Sequence, residues 1–145
     1  MPITDKDPRS STPRRRDGIE AGRPGTAGGL RLEQELLQIA RDILQSRRQR
    51  NQEFGKRLFS EPAWDMLLEL YVRENAGLAA TSRDLISASG AARSTAVRWM
   101  SHLETELLVA RRPHPQDSAI HFIELTDLGR ESLGNYLLAI RSGEI

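Results

Sequence analysis

The chain has 145 residues, of which 38% are hydrophobic, and this length and composition suit one domain with one modest core. Its 21 Lys and Arg residues nearly balance its 20 Asp and Glu residues, which excludes a polycation and means that any nucleic-acid surface depends on where the charges are placed. It has no cysteine and no apolar run of the roughly 18 residues that a membrane helix needs, which excludes disulfides and thiolate zinc sites and predicts a soluble, cytoplasmic protein.

Residues 1–29 are expected to form a disordered tail. They contain the Pro- and Gly-rich stretches TPRRRDG and GRPGTAGG and almost no large apolar side chain. Such a segment cannot bury enough apolar surface to offset the entropy lost on ordering. The basic triplet Arg14, Arg15 and Arg16 leaves two hypotheses open: it contacts DNA phosphates beside a bound domain, or it is a solvated leader.

A first helix is predicted over residues 30–50. Apolar side chains recur there at helical spacing, namely Leu32, Leu36, Ile39 and Ile43. This apolar stripe needs a partner, which is either the core of its own domain or a second chain.

A second helix is predicted after Ser60, which we interpret as its N-cap because Pro62 follows within the first turn. Its apolar residues include Trp64, Leu68 and Tyr71 at helical spacing. We interpret the two aromatic side chains as core residues rather than ligand-stacking ones.

Two shorter helices, over residues 82–87 and 92–107, are predicted on either side of a tight turn at Gly90. The second has an inward stripe of Ala96, Met100, Leu103 and Leu107. Its opposite face is small and basic, and consists of Arg93, Ser94, Val97, Arg98 and Ser101.

A β-hairpin follows, with strands predicted over residues 109–112 and 119–125 and a polar turn between them. Thr126 is a good N-cap for a closing helix of about four turns. The fold class is therefore mainly α with a small β-hairpin (α+β). The order helix, turn, helix, hairpin, helix is that of a winged helix-turn-helix domain, here spanning residues 30–145.

Several segments resemble the MarR-type family of bacterial transcription regulators, from Leu78 to about Tyr136. They are ARSTAVRWMSHLE, LLVARR and HPQDSAIHFIELTDLGRE, and the Leu-Thr-x-x-Gly-Arg pattern at residues 125–130 is the most specific of them. The stretch EPAWDMLLELY extends the similarity back to about Phe59.

The resemblance implies a homodimeric transcription regulator that binds double-stranded DNA and is nucleoid-associated when bound. The helix over 92–107 would enter the major groove, and the wing over 109–125 would contact the backbone or the minor groove. The residues that match these positions are Arg93, Ser94, Thr95, Val97, Arg98, Ser101, Arg111, Arg112 and Ser118. The resemblance also implies an unidentified small-molecule effector in many members.

The chain departs from the family pattern at three points. The wing tip reads Gln116-Asp117-Ser118-Ala119, without the arginine that the family usually places after the aspartate. Leu107 stands where a glycine usually closes the recognition helix, so we expect that helix to be capped differently. The closing helix is short, which makes helix 30–50, through Leu32, Leu36, Ile39 and Ile43, the better candidate for joining two chains.

The residues provide no catalytic constellation and no metal site. Carboxylates are scattered, and His102, His114 and His121 lack metal-ligand spacing, so we predict neither an enzyme nor a cofactor. The alternative to a DNA-binding regulator is a winged-helix adaptor that binds another protein and has lost strong DNA binding.

Overall fold

Residues 27–145 are described by a computed structural model, and they contain five helices and a three-stranded sheet. In chain order the elements are α1 (Ala27–Phe54), α2 (Pro62–Asn75), β1 (Ala80–Thr81), α3 (Ser82–Ser89), α4 (Arg93–Thr105), β2 (Val109–Pro113), β3 (His121–Leu125) and α5 (Asp127–Arg141). The sheet is antiparallel with the order β1-β3-β2. This architecture confirms the predicted α+β winged helix-turn-helix fold. The basic triplet and most of the predicted tail lie outside the described residues.

Helix α1 is longer at both ends than the apolar pattern predicts. It begins at Ala27, so the last three residues assigned to the tail are helical, and it continues four residues beyond residue 50. Its final turn is polar apart from Phe54 and is supported by a hydrogen bond from Gln49 to Glu53 of 2.8 Å. The helix ends at Gly55, whose positive φ of 89° suits glycine. Apolar periodicity stops before the helix does because the last turns face solvent.

The apolar stripe of α1 packs against its own chain. Leu36, Ala40 and Leu44 are buried in the core, and Leu32, Ile39 and Ile43 are half-buried against it. The stripe faces α2 and α5. Leu36 therefore belongs to the core and is not available to a second chain, whereas the other three predicted dimerisation residues keep part of their surface exposed.

Helix α2 lies at the centre of the domain and contacts α1, α3, α4, α5 and β3. Its Met66, Leu68 and Leu70 are fully buried. The prediction that Ser60 caps this helix is wrong, since Glu61 occupies the N-cap position and makes no side-chain cap. Pro62 supplies the start instead, because its fixed φ suits the first helical turn and that turn needs no N–H donor. Trp64 and Tyr71 pack in or against the core, as predicted.

The helix-turn-helix begins with a reciprocal cap at the start of α3. The Thr81 hydroxyl accepts a hydrogen bond from the Asp84 backbone at 3.2 Å, and the Asp84 carboxylate accepts one from the Thr81 backbone at 2.9 Å. The second bond is the main reason that the pKa of Asp84 lies below its ordinary value. Gly90 closes α3 with φ 66°, which confirms the predicted turn. The two-residue strand β1 was not predicted.

The end of α4 differs from the prediction in two respects. Leu107 has φ 61°, so a leucine occupies the left-handed position that usually holds glycine, and the cap geometry is the ordinary one. The N–H groups of Leu107 and Leu108 donate to the carbonyls of Glu104 and Leu103, respectively, at 2.9 and 3.0 Å. Leu107 is also 67% exposed rather than part of the inward stripe. The helix has ended at Thr105, so helical spacing no longer determines which way residue 107 faces.

The Leu-Thr-x-x-Gly-Arg pattern fastens α5 to the end of α4. The Thr126 hydroxyl accepts from the Gly129 N–H at 3.0 Å, which confirms the predicted N-cap, and donates to the Leu107 carbonyl at 2.6 Å. Gly129 faces the Leu108 carbonyl so closely that a Cβ there would lie 2.1 Å from its oxygen. Thr126 in this short pattern therefore has a capping role, and Gly129 has a packing reason.

Arg130 and Glu74 tie the same corner to α2. Arg130 donates to the Glu74 carboxylate at 3.2 Å and to the Leu125 carbonyl at 3.3 Å, while Glu74 accepts from the Leu125 N–H at 2.9 Å. The wing is thereby held at a fixed position relative to the helices. Within residues 27–145, no helix combines the length with the apolar character that crossing a bilayer requires.

Candidate nucleic-acid interface

The outward face of α4 is the candidate interface. Ala96, Met100 and Leu103 are buried beneath it, which confirms these three members of the predicted inward stripe. The residues predicted for the opposite face are all exposed: Arg93, Ser94, Val97, Arg98 and Ser101. Thr95, also a predicted contact residue, is half-buried and lies at the edge of this face.

Arg93 and Arg98 present unpaired charges on this face. Neither makes an ion pair or a side-chain hydrogen bond with any residue in the 27–145 range. The first turn of α4 contains no acidic side chain, and its N-cap residue, Ala92, provides no side-chain cap. The backbone N–H groups at this helix start and the positive end of the helix dipole add to the attraction for an anion.

The two wing-base arginines, in contrast, are paired with carboxylates. Arg111 forms an ion pair with Glu104 of α4, and its Nη2 lies 3.4 Å from the Ser101 hydroxyl. Arg112 forms an ion pair with Glu124 of β3 at 2.6 Å, and its guanidinium lies 5.1 Å from the centre of the Phe122 ring. The structure thus brings Arg111 and Ser101 together, but it neutralises the charge of both arginines.

The wing tip is polar and contains no Lys or Arg between Pro113 and His121. Its turn is closed by a hydrogen bond from the His114 N–H to the Ile120 carbonyl at 3.1 Å and by one from the Ala119 N–H to Asp117 at 3.0 Å. Ser118 is exposed at this tip. The only charged side chain of the tip is therefore the acidic Asp117.

Sequence reasoning missed the acidic partners of the wing arginines. Glu104 and Arg111 are seven residues apart, on α4 and β2, and no helical or strand periodicity links them. Glu124 pairs across the sheet with Ala110, so its contact with Arg112 is diagonal and depends on the strand register. The register is not visible in the sequence.

A cleft with a volume of about 470 Å³ is lined by residues of α1, α2 and the end of α3. Arg47 lines it and is buried, with its Nε 2.5 Å from Asp65 and its Nη1 3.4 Å from Glu61. Its third nitrogen, Nη2, has no hydrogen-bond partner among the described residues. Within residues 27–145, no group of three His, Asp or Glu side chains is placed to hold a metal ion.

The fold and the exposed arginines define a winged helix-turn-helix protein in which α4, the second helix of the helix-turn-helix, is cationic. No protein-family model and no curated protein matches the chain. Among solved structures it resembles a mutant of S. aureus MepR, with 21% identity, 74% of each chain covered and a TM-score of 0.49.

The chain also resembles the transcriptional repressor CouR bound to a 23-mer DNA duplex, with 22% identity, 79% of this chain and 70% of CouR covered, and a TM-score of 0.47. It resembles NadR in complex with 4-hydroxyphenylacetate with 19% identity, 99% and 83% coverage, and a TM-score of 0.46. These structural neighbours are MarR-family transcription regulators, the family that the sequence resembles. At such low identities and TM-scores, the fold assignment rests on the topology of the chain itself.

Proposed function

We propose that the chain is a bacterial transcription regulator that binds double-stranded DNA sequence-specifically, with α4 in the major groove. The observation that carries this proposal is the pair of exposed, unpaired arginines, Arg93 and Arg98, on the outward face of α4. The protein acts by binding, not by catalysis, and works in the cytoplasm, associated with the nucleoid when bound to DNA.

The shape and chemistry of α4 suit the major groove. A groove about 12 Å wide admits an α-helix whose leading end is slim, and the small side chains of Ala92 and Ser94 occupy that end. Arg93 lies in the first turn, where side chains of a recognition helix reach base edges. Ser94, Arg98 and Ser101 follow at spacings of four and three and so share one line along the helix. Arginine pairs bidentately with guanine, which makes these two arginines the proposed base readers.

We further propose that the regulator is a homodimer that binds two half-sites roughly one helical turn apart. The half-buried Leu32, Ile39 and Ile43 retain exposed apolar surface on α1. Sedimentation of the protein at micromolar concentration tests this proposal. A purely monomeric protein, with or without duplex DNA, would refute it.

Selection of bound sites from a random duplex library tests the DNA-binding proposal. We expect enrichment of one sequence with two-fold symmetry, and binding that weakens steeply as salt is raised. Enrichment of no sequence would show that α4 does not read bases. Enrichment of an asymmetric single site would retain the DNA-reading function but reject the dimeric arrangement.

A second candidate function is a protein-binding adaptor, and one observation favours it. Both wing arginines are neutralised by carboxylates, and the tip carries only Asp117, so the wing has little net attraction for phosphates. Retention on heparin or on random duplex DNA at low salt separates the two functions. The adaptor predicts no retention, and the regulator predicts retention that salt abolishes.

We propose the cleft beside Arg47 as the location of the effector. The Nη2 of this buried guanidinium has no hydrogen-bond partner among the described residues, so an anionic group that reached it would not have to displace Asp65. Repeating the binding assay with small organic acids at millimolar concentration tests this location. If Arg47→Met keeps the response of the folded protein to an acid that alters DNA binding, the effector binds elsewhere.

A further inference from the structure

We propose that Glu104 determines the specificity of DNA binding by restraining Arg111. The ion pair holds this wing-base arginine against α4 and neutralises its charge, so that Arg93 and Arg98 dominate recognition. This inference rests on the proposed DNA-binding function and adds a residue that the sequence did not indicate. Glu104 acts here as a positioning residue, through Arg111.

The geometry shows that Arg111 is held on two sides. Its Nε meets the Glu104 carboxylate, and its Nη2 lies 3.4 Å from the Ser101 hydroxyl, one helical turn earlier on α4. Both side chains of the ion pair are 31% exposed, whereas those of the Arg112 and Glu124 pair are 57% and 47% exposed. The pair at Arg111 is the less solvated of the two, and solvent therefore screens it less.

The backbone reinforces this arrangement. Arg111 lies in the middle of β2, paired with Ile123 of β3, and α4 packs against β2. The two charged side chains therefore extend from elements that are fixed relative to each other. Arg93 and Arg98, in contrast, have no partner among the described residues. Two arginines of the interface are thus free, and the two at the wing base, Arg111 and Arg112, are paired with carboxylates.

The charge balance explains why this restraint affects specificity. A free arginine at the wing base attracts phosphates of any sequence, and such contacts carry no sequence information. With Arg111 neutralised, the wing adds little nonspecific affinity. Base contacts by Arg93 and Arg98 then make up a larger share of the total binding free energy. Releasing Arg111 is expected to strengthen random-duplex binding more than selected-site binding, because the rigid reading position of α4 limits what the selected site gains.

The test compares Glu104→Gln with Glu106→Gln in the full-length protein. Both substitutions remove one carboxylate charge at the end of α4, but Glu106 is exposed and makes no side-chain hydrogen bond or ion pair within residues 27–145. Binding is measured by fluorescence anisotropy on the selected site and on a random duplex, over a range of salt concentrations. Thermal melting confirms that each variant is folded.

We expect Glu104→Gln to tighten random-duplex binding about eightfold at about 0.1 M salt, and to steepen its log–log salt slope by about 0.9, the values for one added phosphate contact. Glu106→Gln should produce a clearly smaller change and leave the slope as it is. The ratio of specific to nonspecific affinity should fall for Glu104→Gln only. Arg111→Ala should abolish the gain in the Glu104→Gln background and have a smaller effect in the native background.

Equal shifts for Glu104→Gln and Glu106→Gln would overturn the inference, because they would reflect general charge removal. So would an Arg111→Ala effect of the same size in both backgrounds. In either case the native protein still selects a DNA sequence, so the proposed function stands. A native protein that binds neither duplex would instead reject the proposed function together with this inference.

Discussion

Gly129→Ala is expected to destabilise the fold strongly, because α5 and the end of α4 approach each other too closely for a side chain. The added Cβ would lie 2.1 Å from the Leu108 carbonyl oxygen and 3.0 Å from its carbon. Relief requires the two backbones to separate by about 0.9 Å, to the shortest distance that such contacts show. The contact atom belongs to the backbone, so no flexible side chain can move aside.

The magnitude follows from the hydrogen bonds that this separation breaks. The Thr126 N–H donates to the Leu108 carbonyl at 3.0 Å, and its hydroxyl donates to the Leu107 carbonyl at 2.6 Å. Each bond contributes about 1 kcal/mol. We therefore expect the free energy of unfolding to fall by about 2 kcal/mol.

Urea unfolding followed by circular dichroism measures this effect, and Gly134→Ala on the same helix is the matched control. A Cβ at Gly134 meets nothing within 4 Å, so this control should stabilise the protein by about 0.5 to 1 kcal/mol through helix propensity. If Gly129→Ala is as stable as the native protein, the close approach between α5 and Leu108 does not exist in solution.

Two further predictions concern the caps of the helix-turn-helix. Leu107→Gly should stabilise the protein by about 0.5 to 1 kcal/mol. A left-handed leucine costs about 1 to 2 kcal/mol, and the flexibility of glycine in the unfolded chain offsets only part of this gain. An unchanged or lower urea midpoint for the variant would contradict this prediction. The Thr81 N–H lowers the pKa of Asp84, so this carboxylate stabilises the folded state above its unfolded pKa of about 4, and the stabilisation is lost as pH falls through the lowered pKa. Asp84→Asn should therefore reduce stability at pH 7 and lessen the loss of stability as pH falls below about 4. Parallel stability profiles for the two proteins would refute this role of the cap.

The sequence was sufficient for features that depend on local periodicity and on single conformational requirements. The inward positions of Ala96, Met100 and Leu103 follow from helical spacing, and the turn at Gly90 follows from the left-handed conformation that glycine tolerates. Thr126 was recognisable as a cap because its hydroxyl acts within one helical turn. The outward face of α4, which is the candidate interface, could be predicted for the same reason.

Features that depend on tertiary contact could not be predicted. The neutralisation of Arg111 by Glu104 arises because β2 packs beside α4, and the two-residue β1 is a strand only because Ala80 pairs with Ile123. Leu107 adopts a strained conformation that its identity argues against. Burial of the ion pair between Arg47 and Asp65 likewise reverses the usual expectation that an arginine on a basic helix end is solvated.

DNA binding by three arginine variants tests most directly whether α4 reads DNA through Arg93 and Arg98. Arg93→Ala and Arg98→Ala are compared with Arg57→Ala, which removes the same charge from an exposed position outside α4. Each α4 variant should weaken binding to the selected site by about 1 to 3 kcal/mol and lower the preference for that site over random duplex, while Arg57→Ala keeps that preference. Undiminished preference for the selected site in both α4 variants would show that these arginines do not read bases.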